Sequence, residues 1–247
     1  MNNRPDYLNM KQTAAQEAAV EPVDFQQQAQ AITHDSSKVL RNTYALLAMT
    51  LMFSAVTAGI SMAAGIGHGL GMIFSISALL LIWFALPRTA NSSAGVVVVF
   101  AFTGLLGAAL GPMLNHYLGM SNGGSIVMQA LGGTAVVFLS LSAYVLTTRK
   151  DFSFLGGFLF VGLIVAILSG LALAVAGAFF GVNISGMHLA LSAGIVLLMS
   201  GFILFDTSRI VNGGETNYLM ATTSLYLNIY NLFTALLHLT GALSSDD

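Results

Sequence analysis

Asp, Glu, Lys and Arg are missing from four long stretches of this chain: Asn42–Pro87, Thr89–Thr148, Phe152–Phe205 and Thr216–Ser245. A helix in water needs charge on its exposed face. A helix in lipid excludes it, because an ionised side chain at the middle of a span costs about 2.5–3.5 kcal/mol even on the lenient insertion scale. The pattern predicts an all-α, polytopic membrane protein. Composition points the same way, since only 7% of residues are charged against roughly 25% in soluble domains. A net charge of −2 offers no basic footprint for nucleic acid. The absence of cysteine excludes disulfides, thiol catalysis and Cys-ligated metal.

A spanning helix needs about 20 mainly apolar residues. Cutting the charge-free stretches at their Gly, Pro and Asn clusters gives seven segments: 42–64, 70–87, 93–114, 124–147, 153–180, 187–208 and 220–243. Residues 38–247 are thus expected to form one seven-helix bundle. Residues 1–37 read as a disordered N-terminal tail, rich in Gln and poor in large apolar groups, with a short amphipathic helix around Asp24–Ile32 as the one alternative. No apolar run of signal-peptide length occurs in the first 40 residues, so no cleaved leader is expected.

The basic residues test that division. Arg4, Lys11, Lys38 and Arg41 precede the first segment, and Arg88 separates the second from the third. Arg149 and Lys150 separate the fourth from the fifth, and Arg209 follows the sixth. All eight fall on one side of the expected topology. The positive-inside rule then places the N-terminus in the cytoplasm and, after an odd number of spans, Ser244-Ser245-Asp246-Asp247 outside.

The polar residues inside the segments are the candidate functional groups. Asp206 is the one acid within a segment, with Arg209 one turn on as a candidate ion-pair partner. It reads either as half of a structural ion pair or as an ion or proton site facing the bundle interior. Ser224, Asn228, Asn231 and His238 share one face of the seventh segment. That face must turn to other helices or to water, which places the last helix at the bundle centre with Asp206 beside Asn228 or Ser224. The stripe serves either as interhelical hydrogen bonding or as part of a site. Gly104/Ala108 and Gly107/Gly111 put small residues four apart on the third segment, for packing within the bundle or between two copies. His68, His116, His188 and His238 all fall toward the uncharged end, in no metal-ligand spacing. Ser200-Gly201 lacks the flanks of a nucleophile elbow, and no metalloprotease helix motif occurs, so neither an enzyme, a cofactor nor a metal site is expected. No internal repeat is evident.

The run Leu204-Phe205-Asp206-Thr207-Ser208-Arg209-Ile210-Val211, then Gly213-Gly214, Asn217-Tyr218 and Ser224-Leu225-Tyr226-Leu227-Asn228-Ile229-Tyr230-Asn231-Leu232-Phe233, resembles the Bax-inhibitor (transmembrane Bax inhibitor motif) family. Two further strings resemble its bacterial YccA branch, the modulators of the FtsH protease: Ser36-Ser37-Lys38-Val39-Leu40-Arg41-Asn42-Thr43-Tyr44 and Ser142-Ala143-Tyr144-Val145-Leu146-Thr147-Thr148-Arg149-Lys150-Asp151. The resemblance covers about residues 36–243 and implies a seven-helix inner-membrane protein of a Gram-negative bacterium, with a central last helix. It implies two functions. One is binding to FtsH and the HflK/HflC complex, as a slow substrate and a brake on degradation of other membrane proteins. The other is a pH-sensitive calcium leak gated by two aspartates on the last two helices. Asp206 matches the first aspartate, but Asn228 stands at the second. An amide does not titrate, so the paired-carboxylate mechanism is in question here and the protease-partner reading is favoured.

Overall fold

The computed structural model of the protein describes residues 25–180 and 185–244. Seven long helices appear in the expected order: α1 Phe25–Ala63, α2 His68–Thr89, α3 Ser93–Leu118, α4 Gly123–Thr148, α5 Gly156–Phe180, α6 Ser185–Val211 and α7 Tyr218–Ser244. A short 3₁₀ turn, Ser153–Leu155, leads into α5. The tail expected over 1–37 lies outside the described residues as far as residue 24; from Phe25 onward the chain is helical.

The packing is built around α7. It touches α1, α3, α4 and α6, and those four close a ring around it through α1–α3, α3–α4, α4–α6 and α6–α1 contacts. Outside the ring, α2 rests on α3 and α5 on α6. Tyr226, Leu225, Leu232 and Leu237 of α7 are fully buried at the centre. At the rim, α5 turns Phe158, Leu168 and Phe179 outward. Between helices in lipid the hydrophobic effect supplies little, so close packing and hydrogen bonds must hold the bundle.

The α1–α3 joint shows how the small residues are used. An added Cβ at Gly107 would run into the Thr57 hydroxyl and the Ser54 carbonyl, and one at Gly111 into the Ser61 hydroxyl. With hydrogen in those places, Ser61 Oγ donates to Ala108 O across the joint at 2.6 Å. The small-residue stripe of α3 is therefore occupied within the chain, as bundle packing rather than as a face between copies.

One local irregularity has a clear cause. Pro87 lacks an N–H, and its ring crowds the carbonyl one turn back. A π turn over Leu81–Ala85 absorbs this, with the Leu86 N–H reaching back to Leu81 O. The Arg88 guanidinium donates to Phe84 O, one turn back on the same helix.

Hydrogen bonds also tie the charged connections together at one end. The Asn217 amide donates to Ala90 O at 2.9 Å and to Asn91 Oδ1 at 3.0 Å, joining the α6–α7 connection to α2–α3. Its oxygen caps α7, accepting from Leu219 N and Met220 N at 2.9 and 3.2 Å. Ser208 accepts from Phe152 N at 2.9 Å and donates to Lys150 O at 3.3 Å, bringing in the α4–α5 connection. Within that connection, Ser153 donates from its hydroxyl and its N–H to Asp151 Oδ1, which holds the Asp151 carboxyl below the usual carboxylate range. Thr222 Oγ1 donates to Thr43 O at 3.3 Å, which sets Lys38 and Arg41 at the same end. Asn217→Ala removes both the cap and the bracket and is expected to lower stability by about 1–2 kcal/mol. Thermal unfolding in detergent measures this, with Asn217→Asp, which keeps the capping oxygen, falling in between.

Among the described residues, six helices are long and apolar enough to cross a membrane: α1 from Ser36, α2, α3, α4, α6 from Gly186, and α5 with its leading turn as far as Phe179. The expected seventh, α7, does not meet that standard. Its length suffices at 27 residues, but its polar stripe and its threonines dilute the apolar content. Those threonines are satisfied locally: Thr222, Thr223 and Thr240 donate to the carbonyls four residues back at 2.7–2.9 Å.

Candidate functional site

The stripe on α7 and the acid on α6 meet in the core. Asn228 Nδ2 donates to Asp206 Oδ2 at 2.7 Å, and both side chains are buried. Asp206 reaches this depth because it sits before the last turn of α6, on the side packed against α7. Ser224 and Asn231 lie on the same face of α7, to either side of Asn228, and are half-buried. The direct link to the carboxylate is Asn228's.

Arg209 does not pair with Asp206. It forms an ion pair with Glu215 at 3.4 Å, donates to Gly214 O at 3.2 Å, and lies over the Phe205 ring. The reason is local. Arg209 occupies the last turn of α6, where a long cation finds unpaired carbonyls and water, and Gly213 turns the chain back with φ 77°. Asp206 and Arg209 therefore face different surroundings.

Two further polar links join α7 to the ring, and the spacing of residues did not reveal either. The Tyr226 hydroxyl lies 2.6 Å from Ser54 Oγ and donates to Thr103 O at 3.2 Å, connecting α7, α1 and α3. The only signal for it in the sequence is general: a tyrosine in mid-span needs a partner for its hydroxyl. At the uncharged end, the Tyr117 hydroxyl lies 2.7 Å from His238 Nδ1. His116, His188 and His238 line one cavity of about 370 Å³ there, while His68 lines a neighbouring one. Among the described residues, no group of three or more His, Asp or Glu is close enough to hold a metal ion.

The chemistry open to the core pair is limited. A single acid bonded to an amide can accept that hydrogen bond or hold one proton, but it has no second carboxylate with which to share the proton. The pair is best suited to joining α6 to α7. Asn228→Ala leaves the buried carboxyl without its donor and is expected to destabilise the bundle by about 2–3 kcal/mol. The cost should shrink in an Asp206→Asn background. Equal costs in both backgrounds, read from unfolding midpoints, would show that the two side chains are not coupled.

The profile of the family described as "Inhibitor of apoptosis-promoting Bax1" matches residues 36–245, almost the whole bundle. The chain belongs to this Bax-inhibitor family. Within the family it is 51% identical over 215 residues to an uncharacterized membrane protein of Vibrio cholerae, covering 87% of this chain and 94% of that one. It is 49% identical over 209 residues to the "Modulator of FtsH protease YccA" of Escherichia coli K12, covering 85% of this chain and 92% of YccA. An uncharacterized protein of Pseudomonas aeruginosa is also 49% identical, over 211 residues. These identities extend across the spans, so the family's bundle as a whole is shared, not one motif.

Proposed function

We propose that this protein is a multi-pass protein of the bacterial inner membrane that engages the FtsH protease together with HflK/HflC. It acts there as a slow substrate and a negative modulator of membrane-protein quality control. The observation that carries this reading is its 49% identity to YccA over 92% of that chain. In this reading α7 is the seventh span, sheltered from lipid by the ring, so that its polar stripe never meets hydrocarbon. The N-terminus lies in the cytoplasm with the basic connections, and the C-terminus in the periplasm. Residues 1–24, ahead of α1, serve as the segment that the protease grips, and the helices that follow as the bundle that resists extraction.

The test is capture of the tagged full chain from native membranes in mild detergent. FtsH, HflK and HflC should co-purify, and their absence from a folded, monodisperse preparation would refute the proposal. The buried acid Asp206 favours one competing function, a cation path along Asp206, Asn228, Asn231 and Ser224. Purified protein in vesicles loaded with a calcium dye decides it. We expect no flux above empty vesicles between mildly acidic and neutral pH. Flux that Asp206→Asn abolishes, and that Asn228→Asp makes pH-dependent, would establish the channel instead.

A further inference from the structure

The ring around α7 is not sealed along its whole length. Toward the basic end α1 meets α4 through the Tyr44 and Phe138 rings, with centroids 6.1 Å apart. Between α1 and α4 lies a groove of about 560 Å³, walled by Leu51–Met62 and Val127–Leu139 and floored by Ile229 and Phe233 of α7. Its lips are bilayer surface: Val56 and Ile60 on α1, and Val136 and Leu139 on α4, are exposed. The groove is thus continuous with the lipid-facing surface and opens sideways into it.

The chemistry of the lining selects hydrocarbon. Ser54 and Tyr226 bond to each other at 2.6 Å, Tyr226 bonds onward to Thr103 O, and Thr134 donates to Ala130 O at 2.7 Å. These three hydroxyls are already paired within the chain; of the lining's hydroxyls only that of Tyr230 has no hydrogen bond among the described residues. A water molecule needs two to four polar partners, and a polar solute needs more, so neither is well served there.

Dimensions identify the source of the hydrocarbon. Leu51 to Met62 is eleven helical steps, about 16 Å at 1.5 Å per residue. Half of a hydrocarbon core of about 30 Å is about 15 Å. The groove therefore matches one leaflet, and it lies toward the uncharged end, where the Asn115 amide donates to Met62 O at 3.2 Å. A partner's spanning helix would need twice that length of groove.

Gly59 keeps the groove open. An added Cβ there would meet nothing within 4 Å, unlike Gly107 and Gly111. A mid-helix glycine costs about 1 kcal/mol relative to alanine, and no neighbour within the chain requires this one.

We propose that the α1–α4 groove is an acyl-chain site, holding one tail of a phospholipid from the leaflet at the histidine-bearing end. The test reconstitutes the full chain in phosphatidylethanolamine/phosphatidylglycerol vesicles doped with a phosphatidylethanolamine carrying a diazirine in mid-chain. After photolysis, labelled residues are mapped by mass spectrometry. Groove residues should be labelled several-fold more than Phe158 and Leu168 on the open lipid face of α5. Gly59→Phe should cut groove labelling at least fivefold and leave α5 unchanged. Should that variant not fold, Ala135→Phe blocks the opposite wall with the same expected loss. A diazirine near the headgroup should shift the label toward Met62 and Val127, and one at the tail end toward Leu51 and Phe138. Groove labelling no higher than on α5, labelling that survives both blocking variants, or the reverse order along the groove would overturn the proposal. So would crosslinks in native membranes that join the groove to a protein and not to lipid.

Discussion

Deleting Asn2–Gln30 is expected, under the proposed engagement of FtsH, to lengthen the protein's lifetime in cells several-fold and to slow the degradation of other FtsH clients. A membrane-anchored unfolding motor needs a loose cytoplasmic segment on which to begin. The 24 residues ahead of α1, fully extended, span on the order of 80 Å, ample to reach a protease pore beside the bilayer. The composition of residues 1–24, with few large apolar groups, suits that role. Past the segment the motor meets a bundle whose last helix is enclosed by four others, and extraction must break the ring before α7 is released. Grip without rapid extraction makes a competitor for the protease. The measurement is a chase after translation is blocked, with and without FtsH. Decay of the truncated chain at the full-length rate would exclude engagement through the N-terminus.

Gly107→Val is expected to have the largest effect on stability of any single substitution considered. The new side chain would occupy the space of Ser54 Oγ, 2.7 Å from the site of an added Cβ, and of the Thr57 hydroxyl. Relief requires α1 to move away from α3, which breaks the Ser61–Ala108 bond and pulls Ser54 from Tyr226. Overpacking alone costs about 1–3 kcal/mol, and each lost bond in a bilayer adds about 0.6 kcal/mol. The total is about 2–4 kcal/mol and extends through Tyr226 into α7. Gly132→Val is the control, because nothing lies within 4 Å of its added Cβ. Fluorescence-detected size exclusion after a heating series should show Gly107→Val aggregating well below the parent protein and Gly132→Val close to it. Coincident curves for the two variants would mean that the α1–α3 joint does not limit stability.

Much of this architecture is legible in the amino-acid order, for physical reasons that are local. Lipid removes charge, so the spans and their connections separate in the sequence, and Arg88, Arg149, Lys150 and Arg209 mark one end. A polar stripe in a membrane has to face inward, so Ser224, Asn228 and Asn231 point to a central α7 and to Asp206. What spacing could not give depends on how loops and distant helices meet. Arg209 turns to Glu215 because the chain reverses at Gly213, a loop conformation and not a helix periodicity. The Tyr226–Ser54–Thr103 link needs three helices that are far apart in the chain. The groove lies between α1 and α4 beyond the contact of the Tyr44 and Phe138 rings, a pairing of distant helices that no single helix encodes. The same stripe that locates α7 at the bundle centre also lowers its apolar content, so the residues that fix its position keep it below the standard of the other six helices.

In the proposed topology α7 crosses the bilayer, which puts the C-terminus on the side opposite the N-terminus and the basic connections. The chain has no cysteine, so Asn2→Cys and Asp247→Cys each provide a single reporter for a membrane-impermeant maleimide. In intact spheroplasts the cysteine at 247 should react, and the one at 2 only after permeabilisation. Reaction of both, or protection of both, before permeabilisation would place the two ends on one side of the membrane and contradict the seven-span account.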